Sequence, residues 1–100
     1  MAKLNMSIPH RLSRDEALAR IKGLLERLKQ EYGNNISNLQ ESWNGNKGTF
    51  SFSAKGFNIS GTLDVGTFAI RLSGNLPFAA RFFKGRIEET IRTEARKLLG

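Results

Sequence analysis

The sequence predicts an α+β fold: a mostly antiparallel sheet of four to five strands, with a long helix after the first strand and a long C-terminal helix. Three observations carry this. Apolar residues alternate with polar ones at 4–8 and again from 49 to 72, the period of half-buried strands. They recur every three or four residues from 18 to 32 and again from 83 to 98, the period of amphipathic helices. Gly, Asn and Pro fall at the joints between these runs. The order is β-α-β-β-β-(β)-α, within one domain spanning 1–100.

"KLNMSI" sets Leu4, Met6 and Ile8 on one face, and Pro9 ends the strand. Ser13 and Glu16 then form a capping box, and Asp15 and Glu16 place negative charge at the positive end of the helix dipole. Leu18, Ile21, Leu25, Leu28 and Tyr32 step by three and four, which predicts one unbroken helix of about five turns, stopped at Gly33. Gly23 falls on its solvent side.

The middle reads as strand after strand. "NLQESW" is the least regular, because turning Leu39 and Trp43 inward also turns Glu41 inward. "NGNKG" is a turn, and "TFSFSA" then faces Phe50 and Phe52 inward. "FNISGTLDV" places Phe57, Ile59, Leu63 and Val65 inside, and "TFAIRLS" adds Phe68, Ile70 and Leu72. Such alternation predicts an antiparallel meander covered on one side and wet on the other. After Gly74-Asn75 the period changes, and Phe83, Ile87, Ile91 and Leu98 fall within a stripe about 80° wide.

The stretch "LPFAARFFKGR" at 76–86 poses the functional question, since three phenylalanines run into a basic cluster. Phe83 lies on the core stripe, whereas Phe82 lies about 100° from it with Phe78 on the same off-stripe side. Either Phe78 folds back as packing at a helix start near Arg81, the commoner arrangement for an unmatched ring, or both rings project outward. In the second case Phe78, Arg81, Phe82, Lys84 and Arg86 form an aromatic-basic contact surface.

Composition bounds the remaining options. A chain of 100 residues buries roughly 60–65% of its unfolded surface, enough for one core with little left for a large ligand cavity. It contains no cysteine, which excludes disulfides, thiolate catalysis and cysteine-bound zinc. The N-terminal stretch has no apolar segment of the kind secretory signals carry, and no apolar run approaches the about 20 residues of a membrane span. A cytoplasmic location is expected. The net charge of +7 sits at the two ends of the sequence: +3 over residues 1–33, none over 34–70 and +4 over 71–100. An anionic surface or a polyanion is thus a possible partner class.

Chemistry-bearing motifs are sparse. His10 is the only histidine, so no site can rest on two imidazoles, and beside Pro9 it reads as a turn residue. Glu88 and Glu89 are adjacent on a helix and point about 100° apart, so they cannot act as a facing pair. No nucleophile elbow or phosphate-cradling glycine loop is present. No catalytic, metal or cofactor residues are predicted, and the protein is expected not to be an enzyme. "GNKG" at 45–48 matches a KH-domain loop literally, but a hairpin turn explains it. "KGF" at 55–57 opens like an RNA-recognition signature and then departs at Asn58-Ile59. The helix, strands, helix order also resembles a double-stranded-RNA-binding domain, with Arg81, Lys84 and Arg86 near its second helix; the extra first strand and Gly85 in the cluster count against it.

"SIPHRLSRDEALARI", "YG" and "FKGRIEETI" together resemble the polyhydroxyalkanoic acid system proteins, small bacterial proteins with a P-H-x-L strand exit, a long first helix and a terminal F-K-G-x-I-E-E helix. The resemblance spans Ile8 to Leu99. The chain departs from the family in carrying "GNLPFAAR" where a more aliphatic stretch is usual. The resemblance implies association with the storage-polyester granule system and brings no catalytic residues with it. The arrangement is also similar to a reduced helix-grip fold.

The expected function is a non-enzymatic accessory protein of the polyhydroxyalkanoate granule system, contacting the granule surface or a granule protein. A nucleic-acid-binding module using the basic helices is the first alternative. The second is a small apolar-ligand binder, which a cavity of at least about 300 Å³ with converging polar groups would mark.

Overall fold

The structure, a computed structural model, describes residues 2–54 and 56–100, with all their side chains except those of Ala2 and Asn34. Five strands form one antiparallel sheet: β1 (Ala2–Pro9), β2 (Ile36–Asn44), β3 (Lys47–Ala54), β4 (Phe57–Val65) and β5 (Ala69–Leu76). Their spatial order is β1-β5-β4-β3-β2, so the first strand crosses over to pair with the last, Met6 opposite Leu72 and Ile8 opposite Ile70. Three helices cover one face: α1 (Arg14–Ile21), α2 (Leu24–Tyr32) and α3 (Lys84–Leu99). Short 3₁₀ segments at Gly33–Asn35 and Phe78–Phe83 lead into β2 and α3. α3 lies over β1 and against α1 and α2, while α2 covers β2.

The inner sheet face supplies most of the core: Leu4, Met6 and Ile8 from β1, Ile70, Leu72 and Leu76 from β5, and Ile59, Leu63 and Val65 from β4. Ala17, Ile21, Leu24, Leu25 and Leu28 meet them from α1 and α2, and Ile91 and Ala95 from α3. The opposite sheet face, rich in Ser, Thr and Asn, is left uncovered by helices, as alternation predicts.

Four expectations need correction. The first helix is broken, not continuous. Lys22 and Gly23 interrupt it, with the Gly23 N–H turning back to the Arg20 carbonyl at 3.2 Å in a 3₁₀ manner. Glycine is the weakest helix former in this run, and the break re-phases the stripe so that consecutive Leu24 and Leu25 are both buried. Second, Gly74-Asn75 does not end the strand region; both lie inside β5, with Gly74 opposite Leu4 on one side and Gly61 on the other. Third, Phe68 is not an inward strand residue but sits in the β4–β5 turn, 80% exposed. Fourth, Phe83 is 46% exposed and precedes α3, so the buried stripe of that helix is Ile91 and Ala95, with Ile87 and Leu98 half-buried at its margins.

The irregular "NLQESW" pattern has a physical resolution. A β-bulge falls between Ser37 and Gln40, with Asn38 at φ +55°. The extra residue shifts parity, so Ile36, Leu39 and Trp43 all pack on the core. Glu41 does share the inner face, opposite Phe50, but on this edge strand it stays exposed and accepts a 2.9 Å hydrogen bond from Trp43 Nε1. In the next turn Asn44 pairs with Lys47, leaving Gly45-Asn46 as a two-residue loop with glycine first at φ +63°.

One buried charge ties the helices together. Glu94 on α3 is 3% exposed, and Arg27 Nε on α2 donates to its Oε2 at 2.7 Å. Lys97 reaches the other carboxylate oxygen at 3.4 Å. The Arg27 hydrogen bond holds the Glu94 pKa below its ordinary value, against the burial that pushes it up, with Lys97 adding to the lowering.

Candidate functional site

β1 and β5 carry the chain to the end of the molecule where Ala2 pairs with Leu76. There Pro77, extended at ψ 147°, releases a 3₁₀ turn over Phe78–Phe83 whose Ala80 N–H bonds to the Pro77 carbonyl. Ala80 is fully buried and anchors the segment. A 3₁₀ turn places residues three apart nearly in line, so Phe78 and Arg81 stand one above the other. Phe82 follows beside them.

The result is a stack. The Arg81 guanidinium carbon lies 3.8 Å from the Phe78 ring centroid and 4.2 Å from that of Phe82. Its Nη1 also donates to the Phe78 carbonyl at 2.9 Å, which fixes the cation between the rings. Phe78 is 61% exposed and Phe82 78% exposed. The packing reading of Phe78 is therefore corrected: its ring, like that of Phe82, packs on Arg81 and not on the core.

The five expected contact residues divide into two groups. Phe78, Arg81 and Phe82 come together in the stack. Lys84 is half-buried in the first turn of α3, and Arg86 points instead to the rim of a groove. None of Arg81, Lys84 and Arg86 pairs with a carboxylate among the described residues. The first turn of α3 holds no acidic side chain and its start has no side-chain cap, so Lys84 and Arg86 sit at the unfavourable end of the helix dipole.

The sequence raises a ligand cavity only through its second alternative and does not locate the groove that the structure shows. It is open, has a volume of about 390 Å³, and lies where α2 ends and α3 begins. Phe52, Phe57 and Ile59 from β3 and β4 line it on the sheet side, Leu28 and Tyr32 on the α2 side, and Ile87 and Ile91 on the α3 side. Phe83 lies at its mouth, its ring tilted against Phe57 with centroids 6.2 Å apart. Thus Phe83 belongs to this groove and joins it, through its neighbour Phe82, to the aromatic-basic stack. Tyr32, Phe57 and Ile87 all sit on apolar stripes in the sequence; nothing in the pattern says that they stay partly exposed around a groove.

At the far end of the sheet His10 is a turn residue. Its Nδ1 accepts from the Leu12 N–H at 3.2 Å, so its Nε2 carries the proton donated to the Gly66 carbonyl at 2.9 Å. Its own N–H bonds to the Phe68 carbonyl. The imidazole thus pins the exit of β1 to the β4–β5 turn and leaves neither nitrogen free.

No helix is long and apolar enough to cross a membrane among the described residues. A family model described as "putative polyhydroxyalkanoic acid system protein" matches residues 4–99 of the chain. No curated protein and no solved structure matches it.

Proposed function

We propose that this chain, which belongs to the polyhydroxyalkanoic acid system family, is a non-enzymatic accessory protein that adheres to the polyester storage granule through its exposed aromatic-basic stack. The observation that carries the reading is Arg81 held between two exposed rings. Such a stack keeps Phe78 and Phe82 soluble in the free protein while presenting flat apolar faces outward. A polyester surface offers both an apolar body for the rings and ester carbonyls that accept from a guanidinium. Holding the side chains in place beforehand lowers the entropy lost on contact. Lys84 supports the reading, because its position at the start of α3 works against helix stability and so is not explained by it.

Fractionation of lysate from granule-forming cells tests this. The protein is expected with the granules, and to remain there after nuclease digestion and a high-salt wash. Release by salt together with recovery on nucleic acid would favour the alternative of phosphate contacts by the basic helices, since those contacts are counterion-dependent.

A further inference from the structure

We infer that the groove between α2, α3 and the sheet binds a small carboxylic acid with a linear apolar tail, the tail lying along Phe52, Ile59 and Ile91 and the carboxylate meeting Arg86. The inference goes beyond granule adhesion and does not depend on it.

Size selects the class of occupant. About 390 Å³ falls in the range of small-molecule pockets, about 300–1,000 Å³. The groove also exposes apolar surface at a cost: Tyr32 is 38% exposed and Phe83 46%, while Ile36, Phe57 and Ile87 are only half-buried. An alkyl tail removes that surface from water.

Charge selects the head group. Among the described lining residues Arg86 is the only charged one, and no carboxylate faces the groove. Its guanidinium has no ion-pair partner among the described residues, and its planar fork matches a carboxylate in two-point fashion. Thr90 lies one helical turn beyond Arg86 on the same face of α3 and also lines the groove, placing a hydroxyl donor beside the cation. One cation suits a singly charged head better than a phosphate ester.

The test uses the full chain and a series of straight-chain acids from hexanoate to dodecanoate, below micelle-forming concentrations, followed by calorimetry and by methyl NMR. Affinity is expected to rise about fourfold for each added methylene until the groove is full. Methyl signals of Ile59, Ile87 and Ile91 should shift. The matching 1-alkanols should bind about tenfold more weakly, the worth of one charge-assisted hydrogen bond. Arg86→Gln should erase that acid-over-alcohol preference while retaining the chain-length dependence; its melting temperature checks that the variant is folded. Phe68→Ser, at the opposite end of the sheet, should change neither. Absence of saturable binding at every chain length would overturn the inference. So would affinity insensitive to tail length, or an acid preference that survives in Arg86→Gln.

Discussion

Gly61 and Gly74 face each other across β4 and β5 in the middle of the inner sheet face. A methyl group on Gly61 would run into the Ser73 carbonyl oxygen and lie 2.8 Å from Gly74 Cα and 2.9 Å from the Phe50 ring. Backbone cannot yield as a flexible side chain can, so Gly61→Ala is expected to destabilise by about 1–3 kcal/mol. Gly23 is the opposite case. Its backbone has φ −85°, and an added methyl meets only the Arg20 carbonyl at 3.5 Å, an ordinary contact. Gly23→Ala should therefore stabilise by up to about 1 kcal/mol, chiefly by restricting the unfolded chain. Denaturant melts of the two variants should move in opposite directions, and a shift of the same sign in both would contradict this reading. A similar contrast separates Leu25 from Phe83. Leu25, 3% exposed, should cost about 2–5 kcal/mol as Leu25→Ala. Phe83→Ala should cost only about 1–2 kcal/mol, less than a core phenylalanine on the stripe would, because nearly half the ring is already in water. A larger loss for Phe83→Ala than for Leu25→Ala would show that Phe83 is core after all.

The buried Glu94 decides how α2 and α3 respond to acid. Arg27 lowers the Glu94 pKa on folding, so the folded state holds that proton less tightly than the unfolded chain does. The pair contributes in full above the ordinary glutamate value near 4.5, and its contribution is lost as pH falls through the lowered folded value. Glu94→Gln should accordingly be destabilised most near neutrality, with the gap to the parent closing in acid. Thermal melts between neutral and acid pH read this directly, and a gap independent of pH would contradict it. At this scale the sequence was largely legible. Period alone located β1, β3, β4, β5 and both helical regions, since each of these elements buries one face and the burial writes its spacing into the chain. What misled was glycine. Gly74 reads as a breaker but serves close packing between strands, and Gly23, which reads as a solvent-facing helix residue, is where the helix divides. A bulge at Asn38 likewise scrambles a parity that only the paired strand makes sensible.

At the scale of the molecule, one end differs from the other. The end with His10 and the β4–β5 turn is pinned by hydrogen bonds, whereas the end with Phe78–Phe83 carries the exposed stack and the open groove. The aromatic-basic residues could be picked out in the sequence because they crowd into one short stretch. Their exposure could not, since a 3₁₀ turn and an α-helix place Phe78, Arg81 and Phe82 on different faces. The groove was harder still: its volume comes from where α2 stops relative to where α3 starts, which no one-dimensional pattern records. Adhesion to the granule requires that the stack be a contact surface and not packing. Adsorption of the purified protein to polyhydroxyalkanoate particles, compared with the Phe78→Ser/Phe82→Ser double variant, tests it most directly. The parent should sediment with the particles, and the double variant should stay in solution with a melting temperature nearly unchanged. Unfolding of the double variant, or its undiminished adsorption while folded, would contradict the claim.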